Sequence, residues 1–182
     1  MEIKERWIEP IDKITSDFRQ SFGALSMVEL NWKPHPNTWS IGQNLDHLIA
    51  INGTYYPVIN AVKAGITRLP FLAKFDFMVS FLGRTILKSV QPDRRKKMKT
   101  FPIWEPTKSD VQGDIWERFE NNQSELKKLI ESCPGLLDRG VIISSPANKN
   151  IVYRLDTAFD IIVAHERRHF EQCKEVRALL KD

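Results

Sequence analysis

Residues 164–173 read AHERRHFEQC, and within them His165-Glu166-Arg167-Arg168-His169 spells H-E-x-x-H. On a helix, two histidines at i and i+4 can share one metal ion, and in zinc proteases the intervening glutamate acts as general base. At 3.6 residues per turn, Ala158, Ile161, Ile162, His165, His169, Gln172 and Val176 fall on one helix face. Both imidazoles therefore occupy positions on the face that should meet the core. Buried ring nitrogens need partners. A shared cation satisfies both rings at once; two separately hydrogen-bonded core histidines are the plainer alternative.

The third histidine bears on this choice. His47 shares a helix side with Asn44, Ile51 and Thr54, at the edge of an apolar face. His35, the remaining one of the four, sits in a loop between Pro34 and Pro36 and is the expected bystander. One histidine from one helix and an i, i+4 pair from another make the ligand count of a catalytic zinc-type site with an open position. Imidazole suits zinc or nickel. The expectation is one divalent ion on His47, His165 and His169, with water in the remaining positions. Gln172, on the same face, is a candidate to orient a ligand or a bound water. Cys173 is read as a small core residue, with a fourth ligand as the alternative.

The elements that must carry these residues read as helices. Trp7, Ile11, Ile14, Phe18, Phe22 and Leu25 form a first apolar stripe. Ser40-Ile41-Gly42-Gln43 is a capping box opening a second helix over about 41–63. A third, shorter helix over 71–90 is apolar nearly all round, followed by the basic run RRKKMK (94–99) and a long crossover. Thr107 and Asp110 offer caps for a helix carrying Val111, Ile115, Phe119, Asn122, Leu126 and Leu129. Residues 136–155 hold a short link with Val141–Ile143 as its strand-like run, and the last helix runs from near Asp156 to Leu180. Four long amphipathic helices and one long crossover predict a single all-α domain over 1–182: a left-handed, up-and-down four-helix bundle with a helical insertion between the second and third main helices.

A protease fits poorly. Such enzymes take a third ligand downstream of the motif, and only 13 residues follow His169. Glu171 and Glu175 turn away from the histidine face, and Glu166, about 100° around the helix from His165, should flank the pocket or pair with a surface cation. A net charge of +4 with pI near 9.1 and no recognition-helix motif argue against nucleic acid. The basic run reads as a solvated loop, with a phosphate or acidic membrane surface as its alternative. Two cysteines make no disulfide framework, and the first residues lack a signal-peptide core. A cytoplasmic protein without a membrane span is expected.

WSIGQNLDHL (39–48), the preceding ELNWKPHPNTW loop and HERRHFEQ (165–172) together resemble the DinB-like superfamily of four-helix-bundle metalloproteins. The resemblance implies a metal on His47, His165 and His169. Members include bacillithiol S-transferases and mycothiol-dependent isomerases. It therefore implies a metal-dependent transferase or hydrolase that activates a low-molecular-weight thiol or water, in the simplest case a thiol S-transferase, acting on a small molecule. The alternative is a non-catalytic, stress-related metal-binding protein whose ion is structural. The insertion, with Phe71, Phe75, Phe77 and Phe81, is expected to wall the metal pocket; a cap at the bundle's end or a homodimer contact are its other roles.

Overall fold

The computed structural model describes residues 2–93, 100–107 and 110–180, so the basic run 94–99 lies outside the described residues. A π-helical turn, Lys4–Ile8, leads directly into α1, Glu9–Phe22, whose Ile11, Ile14, Phe18 and Phe22 are buried. Arg6 and the Trp7 indole both bind the Asp160 carboxylate, which ties this start to the last helix. A short α2, Met27–Asn31, follows under a capping box made by Ser26 and Glu29. That S-x-x-E signal stands in the sequence, although a single helix fading before residue 31, not a separate one, was expected there.

Helix α3, Ile41–Lys63, starts at its capping box: Ser40 Oγ accepts from the Gln43 amide and Gln43 Oε1 from the Ser40 amide. Pro57 lies inside it. The expected helix over 71–90 is divided. A 3-10 turn, Phe71–Lys74, ends at an extended Phe75, and α4 spans Asp76–Ser89. After a second 3-10 turn, Pro102–Trp104, the chain reaches α5, Ile115–Glu131.

Helix α5 begins later than its candidate caps suggest, because Thr107 and Val111 are engaged elsewhere. The Thr107 amide donates to Asp46 Oδ2 and its carbonyl accepts from Gln43, while Val111 exchanges two hydrogen bonds with the Asn31 side chain. Side chains of α2 and α3 thus hold Thr107 and Val111 out of helical geometry, and Asp114 precedes the helix without a side-chain cap.

Cys133 leads into a one-turn α6, Pro134–Asp138, and then an antiparallel hairpin of β1, Ile142–Ser145, and β2, Asn148–Arg154. The second strand was not expected, since only its Ile151-Val152-Tyr153 has strand character. Helix α7, Leu155–Leu179, completes the chain.

The fold is a four-helix bundle of α1, α3, α5 and α7, with α4 as the insertion between the second and third of them. The core packs Phe18, Phe22, Leu45, Leu48, Phe119, Leu126, Phe159 and Ile162 between these helices. Helix α4 lies against β2 and α7. A Cβ on Gly83 would meet Thr157 Cγ2 at 3.0 Å and Tyr153 Cβ at 3.1 Å, so the missing side chain is what allows α4 to come this close.

Candidate metal centre

Helices α3 and α7 bring His47, His165 and His169 together, with candidate ligand atoms all within 4.8 Å of one another. His47 and His169 are buried and His165 is partly exposed. Ring centroids stand 4.4 Å apart for His165–His169, 4.7 Å for His47–His169 and 5.2 Å for His47–His165. Trp39 covers the cluster, stacked 6.0 Å from His169 and tilted 4.7 Å from His47.

Hydrogen bonds choose the tautomers. His47 Nδ1 lies 2.5 Å from the Trp104 carbonyl, which can only accept, so Nδ1 carries the proton. Asn44 Nδ2 donates to the Ser40 carbonyl at 2.8 Å, which fixes the amide and turns Oδ1 toward His169 Nδ1 at 2.6 Å. That nitrogen is therefore also a donor. In both rings the Nε2 lone pair is left for the centre of the cluster. His169 Nε2 and His165 Nε2 are 3.0 Å apart. Two nitrogens held about 2.1 Å from a shared ion are separated by about 3 Å at the right angle of octahedral coordination and by about 3.4 Å at the tetrahedral angle of zinc. The residues fit a divalent cation, and the outer nitrogens have the partners that such ligands use for orientation.

Burial keeps the rings neutral, which is the metal-binding form. Loss of solvation is the first cause in each case. It lowers His47 to about 4, with the Trp104 hydrogen bond opposing, and holds His165 and His169 well below the ordinary histidine value, helped by the neighbouring histidines and Arg168. Arg168 is itself buried; its Nη1 donates to the carbonyls of Ser89 and Gln91, tying the end of α4 to α7.

The cluster opens into a cavity of about 1060 Å³. Ile51, Ile86, Val90 and Ile161 give it an apolar side, and the Tyr55 and Tyr153 hydroxyls meet at 3.0 Å on its wall. Gln172 lines it as well. Glu171 and Glu175, expected to turn away, stand on its exposed rim. His35 also borders the cavity but lies outside the histidine cluster, its Nδ1 accepting from the Asn37 amide. Cys173 is fully buried in the core, where burial raises its thiol pKa.

Two expectations are corrected. Glu166 does not pair with a surface cation. It is fully buried, outside the cavity wall, and its Oε1 accepts from Asn52 at 2.8 Å and Gln123 at 2.9 Å. Helix α7 faces α3 and α5 there, so a position beside the ligand stripe is still interior. Burial raises the carboxyl to about 7 against those two hydrogen bonds. The four phenylalanines do not line the pocket either. The buried residues of α4 are Val79, Gly83 and Ser89, and the close approach at Gly83 leaves no room there for a side chain. The insertion walls the cavity through Ile86, Ser89, Val90 and Pro92 instead.

Sequence reasoning missed Asn44, the Trp104 carbonyl and Arg168 as neighbours of the site. Asn44 precedes His47 by three on the same helix side, a spacing that could have found it. A backbone carbonyl leaves no side-chain signal.

Residues 11–173 match the family model of the DinB superfamily. The chain belongs to the DinB superfamily. Comparison with curated proteins and with solved structures gave no match. For this DinB-superfamily chain, the family and the three-histidine cluster agree on a metal-compatible bundle, reached through one histidine on α3 and two on α7.

Proposed function

We propose that His47, His165 and His169 hold one divalent ion, zinc or nickel, and that the chain is a metal-dependent transferase or hydrolase acting on a small molecule in the adjoining cavity. The observation that carries this reading is the convergence of Nε2 lone pairs, set by Trp104 and Asn44, at the wall of a cavity rather than inside a sealed core. A cation bound there supplies a Lewis acid that lowers the pKa of a low-molecular-weight thiol or of water, making a nucleophile at neutral pH. Asn44 and the Trp104 carbonyl hold the rings in register. Ile51, Ile86, Val90 and Ile161 exclude water from one side and suit an apolar electrophile. Gln172, which lines the cavity from α7, would orient a bound nucleophile.

A purely structural ion needs no open side, and the cavity favours catalysis over that role. The test is a cobalt-substituted sample titrated with low-molecular-weight thiols. A thiolate-to-cobalt charge-transfer band that disappears in His47→Ala supports the proposal. A cobalt spectrum unchanged by thiols, by azide and by pH identifies a closed, structural site and overturns it.

A further inference from the structure

The aromatic face of the insertion is left uncovered. Phe71, Phe75, Phe77 and Phe81 are 68%, 40%, 68% and 58% exposed. They are contiguous: the ring centroids of Phe71 and Phe75 are 5.3 Å apart and those of Phe75 and Phe77 6.1 Å, and Phe81 follows Phe77 by one turn of α4. An exposed apolar run of this kind marks an interaction surface.

Cations frame it. Lys74 Nζ lies 5.3 Å from the Phe71 ring centroid. Arg84 and Lys88 continue the Phe77–Phe81 side of α4 at three- and four-residue spacing, and Arg68 precedes the turn; all four cations are exposed. The one carboxylate within 66–90, Asp76, is paired with Arg154 at 2.5 Å. None of the four rings lines the metal cavity or the small cavity beside Arg84. The face is thus a ridge of phenyl groups with unbalanced positive charge, outside both of these cavities.

We propose that this face binds an anionic phospholipid surface. Phenyl rings enter the boundary between headgroups and acyl chains, while Lys74, Arg84 and Lys88 reach the lipid phosphates. No helix among the described residues is long and apolar enough to cross a membrane, so α4 lies in the plane of the surface. A second copy of the chain is the poorer occupant, because a two-fold contact sets the same cations against themselves. The inner side of α4 supplies Ile86 and Val90 to the cavity, and docking therefore brings the cavity wall beside the lipid. The proposal stands independently of the metal chemistry.

The test is cosedimentation of the full metal-loaded chain with unilamellar vesicles of phosphatidylcholine, alone or mixed with phosphatidylglycerol. The partition coefficient is expected to be at least about tenfold higher on the anionic vesicles and to fall with added salt. Phe77→Ser with Phe81→Ser, and separately Lys74→Glu with Arg84→Glu and Lys88→Glu, should each lower it by about tenfold or more. Metal content and melting temperature should stay at the wild-type values, since these side chains are exposed and remote from the histidines. Absence of binding to anionic vesicles at low salt overturns the proposal. So does binding that survives both variants. A wild-type dimer seen by light scattering and abolished by the Phe77 and Phe81 substitutions would assign the face to a second copy instead.

Discussion

Glu166→Gln tests the buried network behind the histidines. The wild-type carboxyl is fully buried, and its Oε2, like Gln123 Oε1, has no hydrogen-bond partner among the described residues. Burial raises its pKa from 4.5 to about 7. The folded state therefore holds a proton that the unfolded chain releases, and the stability linked to that proton is present below pH 4.5 and lost as pH rises through about 7. At about 1.36 kcal/mol per pKa unit, the full loss is about 3 kcal/mol, of which about 2 kcal/mol falls between about pH 5.5 and about pH 8.5. Glutamine cannot ionise and retains an oxygen to accept from Asn52 and Gln123. Urea unfolding of both metal-free proteins at those two pH values isolates this term, because titration of the histidines is common to both and cancels in the difference. The substituted protein should gain about 2 kcal/mol relative to wild type at the higher pH. A difference between the two proteins that does not change with pH would refute the reasoning, because Glu166 would then share the pKa of the unfolded chain.

The remaining predictions concern the histidines. His47→Ala, His165→Ala and His169→Ala should each strip bound metal from the purified protein, measured by elemental analysis, and His35→Ala should not; the reverse pattern for His35 and His47 would end the ligand assignment. Asn44→Ala removes the acceptor that orients His169 and should weaken metal affinity by about 10–100-fold in a chelator competition. Because burial holds His47 down to about 4 from 6.5, the unfolded chain takes up a proton that the folded state refuses. The His47-linked part of metal-free stability should fall by about 3 kcal/mol as pH drops across that interval, and His47→Gln should reduce the pH dependence seen by denaturant unfolding by about that amount, leaving the share of His165 and His169. Metal at about 100 times its dissociation constant should add about 2.7 kcal/mol to stability, reversed by chelation and visible as a higher melting temperature.

Local chemistry wrote much of this protein legibly into its sequence. The Ser40–Gln43 box placed the start of α3 because both partners lie within one turn. The spacing of His165 and His169 put them on one inward face, and His47 shared the same burial logic. Tertiary structure alone decided what faces those elements. Asn44 reaches His169 across 125 positions of sequence, and the Trp104 carbonyl reaches His47 across 57. Neither contact has a periodicity to reveal it. Thr107 and Asp110 looked like caps, but Asp46 on α3 binds the Thr107 amide, Asn31 on α2 binds that of Val111, and α5 starts later. Glu166 stands off the ligand stripe on the helical wheel, yet it is interior because α3 and α5 enclose α7 on more than one side. The sides of α4 could not be told apart from composition, since both are apolar. The close approach of Gly83 to Tyr153 and Thr157 fixes which side of α4 turns inward and leaves the phenylalanines facing out.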